Sequence, residues 1–338
     1  MKYLLLVSGT YSDQIRSSMH INRLLIDTDL TADVGYYNHL DKQVFETRYD
    51  LVVCSRPNNP EILQYFKMRK MPLLIDVDDD FEAITKSHPG YNGVGPGNKT
   101  AIEGMNKCLQ MANAITTSTE ILKEKFTERY GNKVYLVENG WDNDNENWKK
   151  SLFPKDPNIV YVGWGGTVTH RNDFNLVLNA LHLITKKLDN VKIIIYGDPE
   201  IYFMINKIPE NKKLFIPPTE YYIYPGVIGS FDILLAPLLD TAFNNAKSDI
   251  KLVDAGARKI PWIASRSTAY LKWYEGGCFA STTEEWEENL TQFIISRAKR
   301  KRYGQIGYQK ALTRESKVIV KDWIVAAEAA KYNCFNNK

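Results

Sequence analysis

Cysteine and histidine are scarce in this chain, at four and five of 338 residues. Cys54, Cys108, Cys278 and Cys334 lie far apart, and no C-x-x-C pair or Cys/His cluster has the spacing of a zinc site. Those absences exclude a disulfide-framed scaffold and a zinc module, and free thiols in a reducing compartment are the simplest reading. No apolar run approaches the roughly 18 residues that a membrane-spanning helix needs. The opening MKYLLLVSGT is too short for the apolar stretch of a secretory signal and runs directly into a loop, so it reads as a first buried strand in a cytoplasmic protein. Neither sign of charge dominates: 43 Lys and Arg face 40 Asp and Glu. The net +3 is too small to imply a polyanionic partner by itself. Repeats and low-complexity segments are also missing, and nothing in the pattern asks for a metal or a cofactor.

What is present is an alternation of short β-rich runs with helical stretches. YLLLVSG, DVGYYN, YDLVVCSR, PLLIDVDD, AITTST and KVYLVENG read as strands in the first half. NIVYVGW, VKIIIYG, KLFIP, FDILLAPL, PWIAS and GGCFAS read as strands in the second. Continuous Val/Ile/Leu runs separated by helices predict parallel sheets buried on both faces. The fold class expected is α/β, with two doubly wound, Rossmann-like parallel-sheet domains facing across a cleft. The asparagine-rich stretch Trp141–Asn158 reads as the linker between them. The first domain is expected over residues 1–150 and the second over 151–312, with 313–338 a terminal helix crossing back to the first. HPGYNGVGPGN, His88 to Asn98, reads as a mobile or acceptor loop or as an ordinary surface loop. RAKRKR, Arg297 to Arg302, reads as a nucleic-acid patch or as a solvated helix face.

Ligands of doubly wound sheets bind at the carboxyl ends of the strands, so the loops after strands are where chemistry is expected. One such loop, NNAKSDIKLVDAGARKIP, follows FDILLAPL and opens a short helix. Ser248 can cap that helix, Asp249 suits its first turn, and Ile250, Val253 and Ala257 form a buried face. Lys247 and Lys251 crowd its start, where the helix dipole disfavours cations. An intrahelical pair between Lys251 and Asp254 accounts for one lysine only. A diphosphate at the helix start accounts for both, and Asp254, one turn deeper, then suits a ribose diol. A second loop, VGWGGTVTHRNDF, follows another strand. Gly165 and Gly166 permit close ligand approach. Arg171 is a phosphate ligand or a surface charge, and His170 a surface or capping group. The helix that follows is expected to bury Phe174, Val177, Leu178, Leu181, Ile184 and Leu188.

Taken together, these segments resemble nucleotide-sugar glycosyltransferases of GT-B architecture, near the retaining group called family 4. Stretches across nearly the whole chain carry the resemblance in order. SGTYSDQIRSS is similar to the loop after the family's first strand, DVDDDF to an Asp-rich loop of a bacterial and phage-like subgroup, and AITTSTEILKE and VENGWD to two later segments. VGWGGTVTH is similar to I-G-W-x-G-S-x-T-H, and FNNAKSDIKLVDAGARKIPWIAS to the subgroup's K-S-x-I-K-x-x-E-x-x-A-x-G-x-P block. The family usually carries two glutamates eight residues apart in that block. Ala246 and Asp254 stand there instead, which removes a donor-sugar contact and leaves a shorter ribose acceptor.

The resemblance implies transfer of a sugar from a nucleotide sugar, such as a UDP- or GDP-sugar, to an acceptor hydroxyl, with retention and without a metal. It implies Lys247, Lys251 and Asp254 as catalytic residues. Gly9, Thr10, Gly165, Gly166, Thr167, Arg171, Pro217, Tyr221 and Ser248 line the donor site, with base contacts near Phe215 to Tyr221. Asp78, Asp79 and His20 are acceptor-side candidates, although Asp78 and Asp79 equally suit capping of a helix. The acceptor is a surface glycan or, less favoured, a phage-type modified DNA base. A nucleotide-sugar epimerase and a non-catalytic nucleotide-sugar or glycan-binding protein are the alternatives. The base, the sugar, the acceptor and the oligomeric state are not legible.

Overall fold

The structure, a computed structural model, describes residues 1–37, 39–57 and 59–336. The chain divides into two compact units. One is Met1–Asp142 with Ala246–Ser248 and Arg314–Lys338; the other is Asn143–Asn245 with Asp249–Thr313.

The first unit contains β1 (Lys2–Val7), β2 (Thr31–Tyr36), β3 (Leu51–Ser55), β4 (Leu73–Val77), β5 (Ala114–Thr117) and β6 (Val134–Leu136). They form one parallel sheet in the order β2-β1-β3-β4-β5-β6. β3, β4 and β5 are buried along their whole length, as expected of apolar strands covered on both faces. The intervening helices start on side-chain caps: Asn59 accepts from Glu61 N, Asn98 from Ala101 N, and Thr119 from Leu122 N. The last helix, Ser316–Asn336, lays Trp323, Ala326, Ala327 and Ala330 against Tyr3, Leu5 and Val7. Its alanines let helix and sheet approach closely.

The second unit contains β7 (Val160–Gly166), β8 (Val191–Gly197), β9 (Lys213–Ile216), β10 (Ile233–Ala236), β11 (Trp262–Ser265) and β12 (Gly277–Ala280). These too are parallel, in the order β12-β11-β10-β7-β8-β9. The helix Arg171–Lys187 buries Phe174, Val177, Leu181 and Ile184 completely, with Leu178 and Leu188 packed at the edge of the same core. In each sheet the strand order reverses once, between β1 and β3 and between β7 and β10. Those are the switch points where crevices open.

Two expectations change. The stretch read as a linker is packed: Trp141 and Trp148 are buried, a 3-10 turn spans Glu146–Lys149, and the amides of Asn145 and Asn147 donate to Tyr222 O. Asparagine there satisfies backbone acceptors rather than solvating a tether. The stretch matched to the loop after β1 is mostly helical, because the chain turns helical at Tyr11 and continues through a π-type turn, Gln14–Ser18.

That turn buries Arg16 against the sheet. Its guanidinium meets both oxygens of Asp76, with the shortest contact 2.6 Å, and the Oδ1 of Asn139 at 2.9 Å; Thr116 Oγ1 donates to Asp76 at 2.6 Å. Arg16 and Asp76 are each 1% exposed, so neither has water to replace a lost partner. Asp76→Ala leaves Arg16 buried without a carboxylate, on Val137 O and Asn139 Oδ1 alone, and is expected to destabilise the first unit by about 3–5 kcal/mol. Urea unfolding followed by tryptophan fluorescence measures this, and a loss below about 1 kcal/mol would contradict the assignment.

Candidate active site

The carboxyl ends of β7 to β10 form the first candidate region. β7 ends on Gly165 and Gly166, which lie close against neighbouring aromatic rings. A Cβ at Gly165 would stand 3.1 Å from Tyr196, and one at Gly166 2.9 Å from Trp164. Lys251 comes back to this turn from the helix Ile250–Ala257. Its ammonium donates to Gly165 O at 2.7 Å and stands 4.8 Å from the centre of the Trp164 ring. One cation is thereby fixed at the switch point, on a carbonyl and an aromatic face.

Asp254 lies one turn further along and is 3% exposed. Tyr224 donates to its Oδ2 at 2.8 Å. The Tyr224 ring packs on Tyr196 at 5.7 Å, and the Tyr196 hydroxyl pairs with Thr219 Oγ1 at 3.2 Å. Burial pushes the Asp254 carboxyl up to about 7, against the pull of the Tyr224 hydrogen bond and the Lys251 charge. Pro217 and Tyr221 flank Thr219 on the segment after β9, with Tyr221 opening a 3-10 turn.

The helix Arg171–Lys187 begins after Thr167. Its N-cap, His170, makes no capping hydrogen bond to the first-turn amides; the ring pairs with Asp173 at 2.8 Å. Asp173 also accepts from Leu239 N and Asn244 Nδ2, both at 2.9 Å, and so ties the turn after β7 to the one after β10. Arg171 is exposed and forms an ion pair with exposed Glu200 at 3.4 Å, the surface-charge reading of that residue. Thr167 pairs its hydroxyl with Thr169.

The first unit gathers a second group of charges at the ends of β1, β3 and β4. Gly9 adopts a positive φ of 83°, a conformation that favours glycine. Asp13 draws the loop in, accepting from Ser8 N, Thr10 N and the Thr10 hydroxyl. Arg56 has φ +46° without being glycine, and its guanidinium meets the Thr10 hydroxyl and lies 3.7 Å from Asp78. The Ser12 hydroxyl donates to Asp78. Burial raises both Asp78 and Asp79. At Asp78 the Arg56 charge and the Ser12 hydrogen bond outweigh it and hold the group low, whereas at Asp79 burial prevails over Lys247 and the group is held high. Two adjacent carboxyl groups pushed in opposite directions is an arrangement suited to acid–base work.

Lys247 and Ser248 belong to this unit. Lys247 forms an ion pair with Asp79 at 3.1 Å, and Ser248 Oγ accepts from Asn139 Nδ2 at 2.7 Å. The hydroxyl expected to cap the next helix is therefore occupied; Asp249 takes the N-cap position and gives its carboxylate to Trp273 Nε1 at 2.6 Å. His20 is a further correction. It is fully buried, stacks on Trp323 at 6.0 Å, and both ring nitrogens are without partners, so no acceptor can reach it. Desolvation, with the Arg16 charge, pulls it down to about 3. Among the described residues no cluster of three or more His, Cys, Asp or Glu has the geometry to hold a metal ion. Sequence reasoning missed Arg56, Ser12, Tyr196 and Tyr224, while Thr219 falls within the Phe215–Tyr221 stretch it gave for base contacts. The run YYIYPG around Tyr224 was the one visible signal among them.

No protein-family model matches the sequence, and no curated protein matches it. Solved structures do. The Anabaena protein HepE, in complex with UDP and glucose, aligns with a TM-score of 0.69 at 14% identity, over 97% of this chain and 99% of its own. A glycosyltransferase from Rickettsia africae aligns at 0.65 and 14% identity over 99% of both chains. The UDP-GlcNAc 2-epimerase of Neisseria meningitidis, bound to UDP-GlcNAc, aligns at 0.60 and 14% identity over 96% of this chain and 100% of its own. At these identities the likeness shows the fold: two Rossmann-like domains in tandem, the GT-B type.

The Asp254 shift sets a pH dependence. The group is raised from an unfolded value of about 3.9 to about 7 on folding. Its favourable contribution is complete below pH ~4 and is lost as pH rises to ~7, by up to about 4 kcal/mol. Asp254→Asn should therefore gain stability over the native chain as pH rises across that window. Thermal unfolding of both proteins at each pH checks it; a constant difference would contradict the buried-acid assignment.

Proposed function

We propose that the protein is a glycosyltransferase that takes a sugar from a nucleotide sugar, with the donor held at the switch point of the second unit. The observation that carries this reading is the pairing, on one eight-residue helix, of a cation fixed at the Gly165 carbonyl and a buried carboxyl group behind it. Lys251, fixed beside the Gly165–Gly166 turn, suits a diphosphate, which such donors bind through charge-assisted hydrogen bonds. Asp254, with Tyr224 as its present partner, suits a ribose diol. HepE, solved with UDP-glucose, supports a UDP-sugar as the donor.

In this reading Lys251 stabilises the charge that develops on the departing diphosphate. Gly165, Gly166 and Thr167 give the phosphates access to backbone, and Pro217 and Tyr221 flank the base. In the first unit, Asp78, held low beside Arg56, and Asp79, paired with Lys247, are proposed to orient an acceptor hydroxyl, with the Gly9–Thr10 turn tied to them through Arg56. The resemblance to family 4 supports retention: the bond from the anomeric carbon to the diphosphate breaks, the acceptor oxygen bonds from the same face, and its proton passes to the departing phosphate. The cations at hand support a metal-independent step. The acceptor is proposed to be a glycan hydroxyl.

Calorimetry tests the donor site. Lys251→Ala is expected to weaken UDP or GDP binding by about 1.5–3 kcal/mol. Asp254→Ala should weaken nucleotide binding while changing pyrophosphate binding much less, and native affinity should rise with pH up to about 7 as Asp254 ionises. Unchanged nucleotide affinity in both variants would contradict the site. Turnover of a UDP-sugar should survive excess EDTA and give an α-linked product from an α-linked donor by NMR. An isomerised sugar recovered with the nucleotide would instead assign an epimerase.

A further inference from the structure

The basic run Arg297–Arg302 opens the helix Arg297–Ala311, which Ser296 caps by accepting from Lys299 N at 3.1 Å. Cations in a first turn oppose the helix dipole. The preceding helix, Thr283–Ile295, follows the usual rule and carries Glu284 and Glu285 there. The run instead contributes Arg297, Arg300 and Lys301 to the wall of a cavity of about 410 Å³. Phe231 and Asp232 before β10, and Ile260 and Pro261 before β11, complete that wall. The cavity therefore lies at the amino ends of the strands, at the edge of the sheet opposite the proposed donor site.

Six cations to one carboxylate line this cavity. Some have local work. Lys155 pairs with Asp232 at 2.7 Å, Arg300 donates to the carbonyls of Phe293 and Ile294, and Lys259 lies over the Tyr308 ring at 4.4 Å. The other three are less engaged among the described residues. Arg297 and Lys301 form no ion pair among the described residues. Arg258 is half-buried with its guanidinium pressed on Gly229. Among the described residues it reaches only Asn147 O, at 3.4 Å, and its Nε is buried without a partner. A partly desolvated guanidinium facing two further free cations is the donor set that a phosphoryl dianion satisfies. The run is not one continuous basic stripe of the kind that tracks a nucleic-acid backbone, because Lys299 turns away over the rings of Phe293 and Tyr303.

We propose that this cavity is a second anion site of the second unit, which binds the phosphoryl group of a small phosphorylated molecule or headgroup through Arg258, Arg297 and Lys301. Inorganic pyrophosphate is the probe, titrated calorimetrically into the full chain, into Arg297→Glu/Lys301→Glu and into Lys251→Ala. Both reversed residues are exposed, and unchanged thermal unfolding without ligand confirms that the variant folds. Pyrophosphate affinity at this site should fall more than about tenfold in the charge-reversed pair, while Lys251→Ala keeps it. UDP affinity of the pair should stay native. Sedimentation with vesicles of phosphatidylcholine and phosphatidic acid, lost in the pair, would identify a lipid headgroup as the source; pyrophosphate binding without sedimentation would identify a soluble one. Native pyrophosphate affinity in the pair would overturn the proposal, as would pyrophosphate heats abolished by Lys251→Ala alone. Duplex DNA binding that the pair weakens, without any pyrophosphate heat, would replace it with a nucleic-acid surface.

Discussion

The hydrogen bond from Tyr224 to Asp254 is the contact on which the second unit's site turns. A carboxyl group that is 3% exposed has almost no water, and at 2.8 Å the phenol supplies a donor in its place. It sets where the helix Ile250–Ala257 can lie, and the helix sets where Lys251 can reach. The same helix is held at its start by Asp249 on Trp273 Nε1 and Lys272, and near its end by Gly256, where a Cβ would stand 2.6 Å from Gly307 O. Polar contacts along an eight-residue helix cost mobility, and what they fix is a cation on the carbonyl that ends β7.

The two units solve the burial of charge differently. In the first, carboxylates at the strand ends are met by cations: Asp76 by Arg16, Asp78 by Arg56, Asp79 by Lys247 and Asp80 by Lys125. In the second, Asp254 is met by a phenol and is held near neutrality, and Asp173 is met by an amide, a backbone N–H and an imidazole. Among the first unit's pairs, the ion pairing prevails at Asp78, which is held low, whereas burial still holds Asp76 and Asp79 high against Arg16 and Lys247. A carboxyl poised near 7 changes state when a ligand arrives, as suits a binding contact. The sheet orders differ as well, yet both place their loops at a reversal of strand order, which is where a parallel sheet leaves room for a ligand.

How much of this was legible follows from which forces are local. The central strands β3, β4, β5, β10 and β11 were readable because a strand covered on both faces is apolar nearly throughout, and the Arg171–Lys187 helix because its buried residues recur with helical spacing. Lys251 and Asp254 stood out because cations and acids near a helix start have expected places. Their partners did not: Tyr224 is 30 residues from Asp254, Gly165 is 86 from Lys251, and no local pattern links them. Arg56 was hidden because a left-handed backbone is expected of glycine or asparagine, and an arginine in SRPNN carries no such mark. Ser248 and the asparagines of Trp141–Asn158 misled for the same reason: a short polar side chain that can cap or solvate is also able to bond a distant group.

A crystal structure of the protein with UDP bound is the most direct test of the donor site. The account predicts the ribose hydroxyls within hydrogen-bond distance of the Asp254 carboxylate, the Lys251 ammonium on the diphosphate, and the phosphates over the Gly165–Gly166 turn. UDP bound elsewhere, with Asp254 still closed on Tyr224 and no phosphate near Lys251, would contradict it.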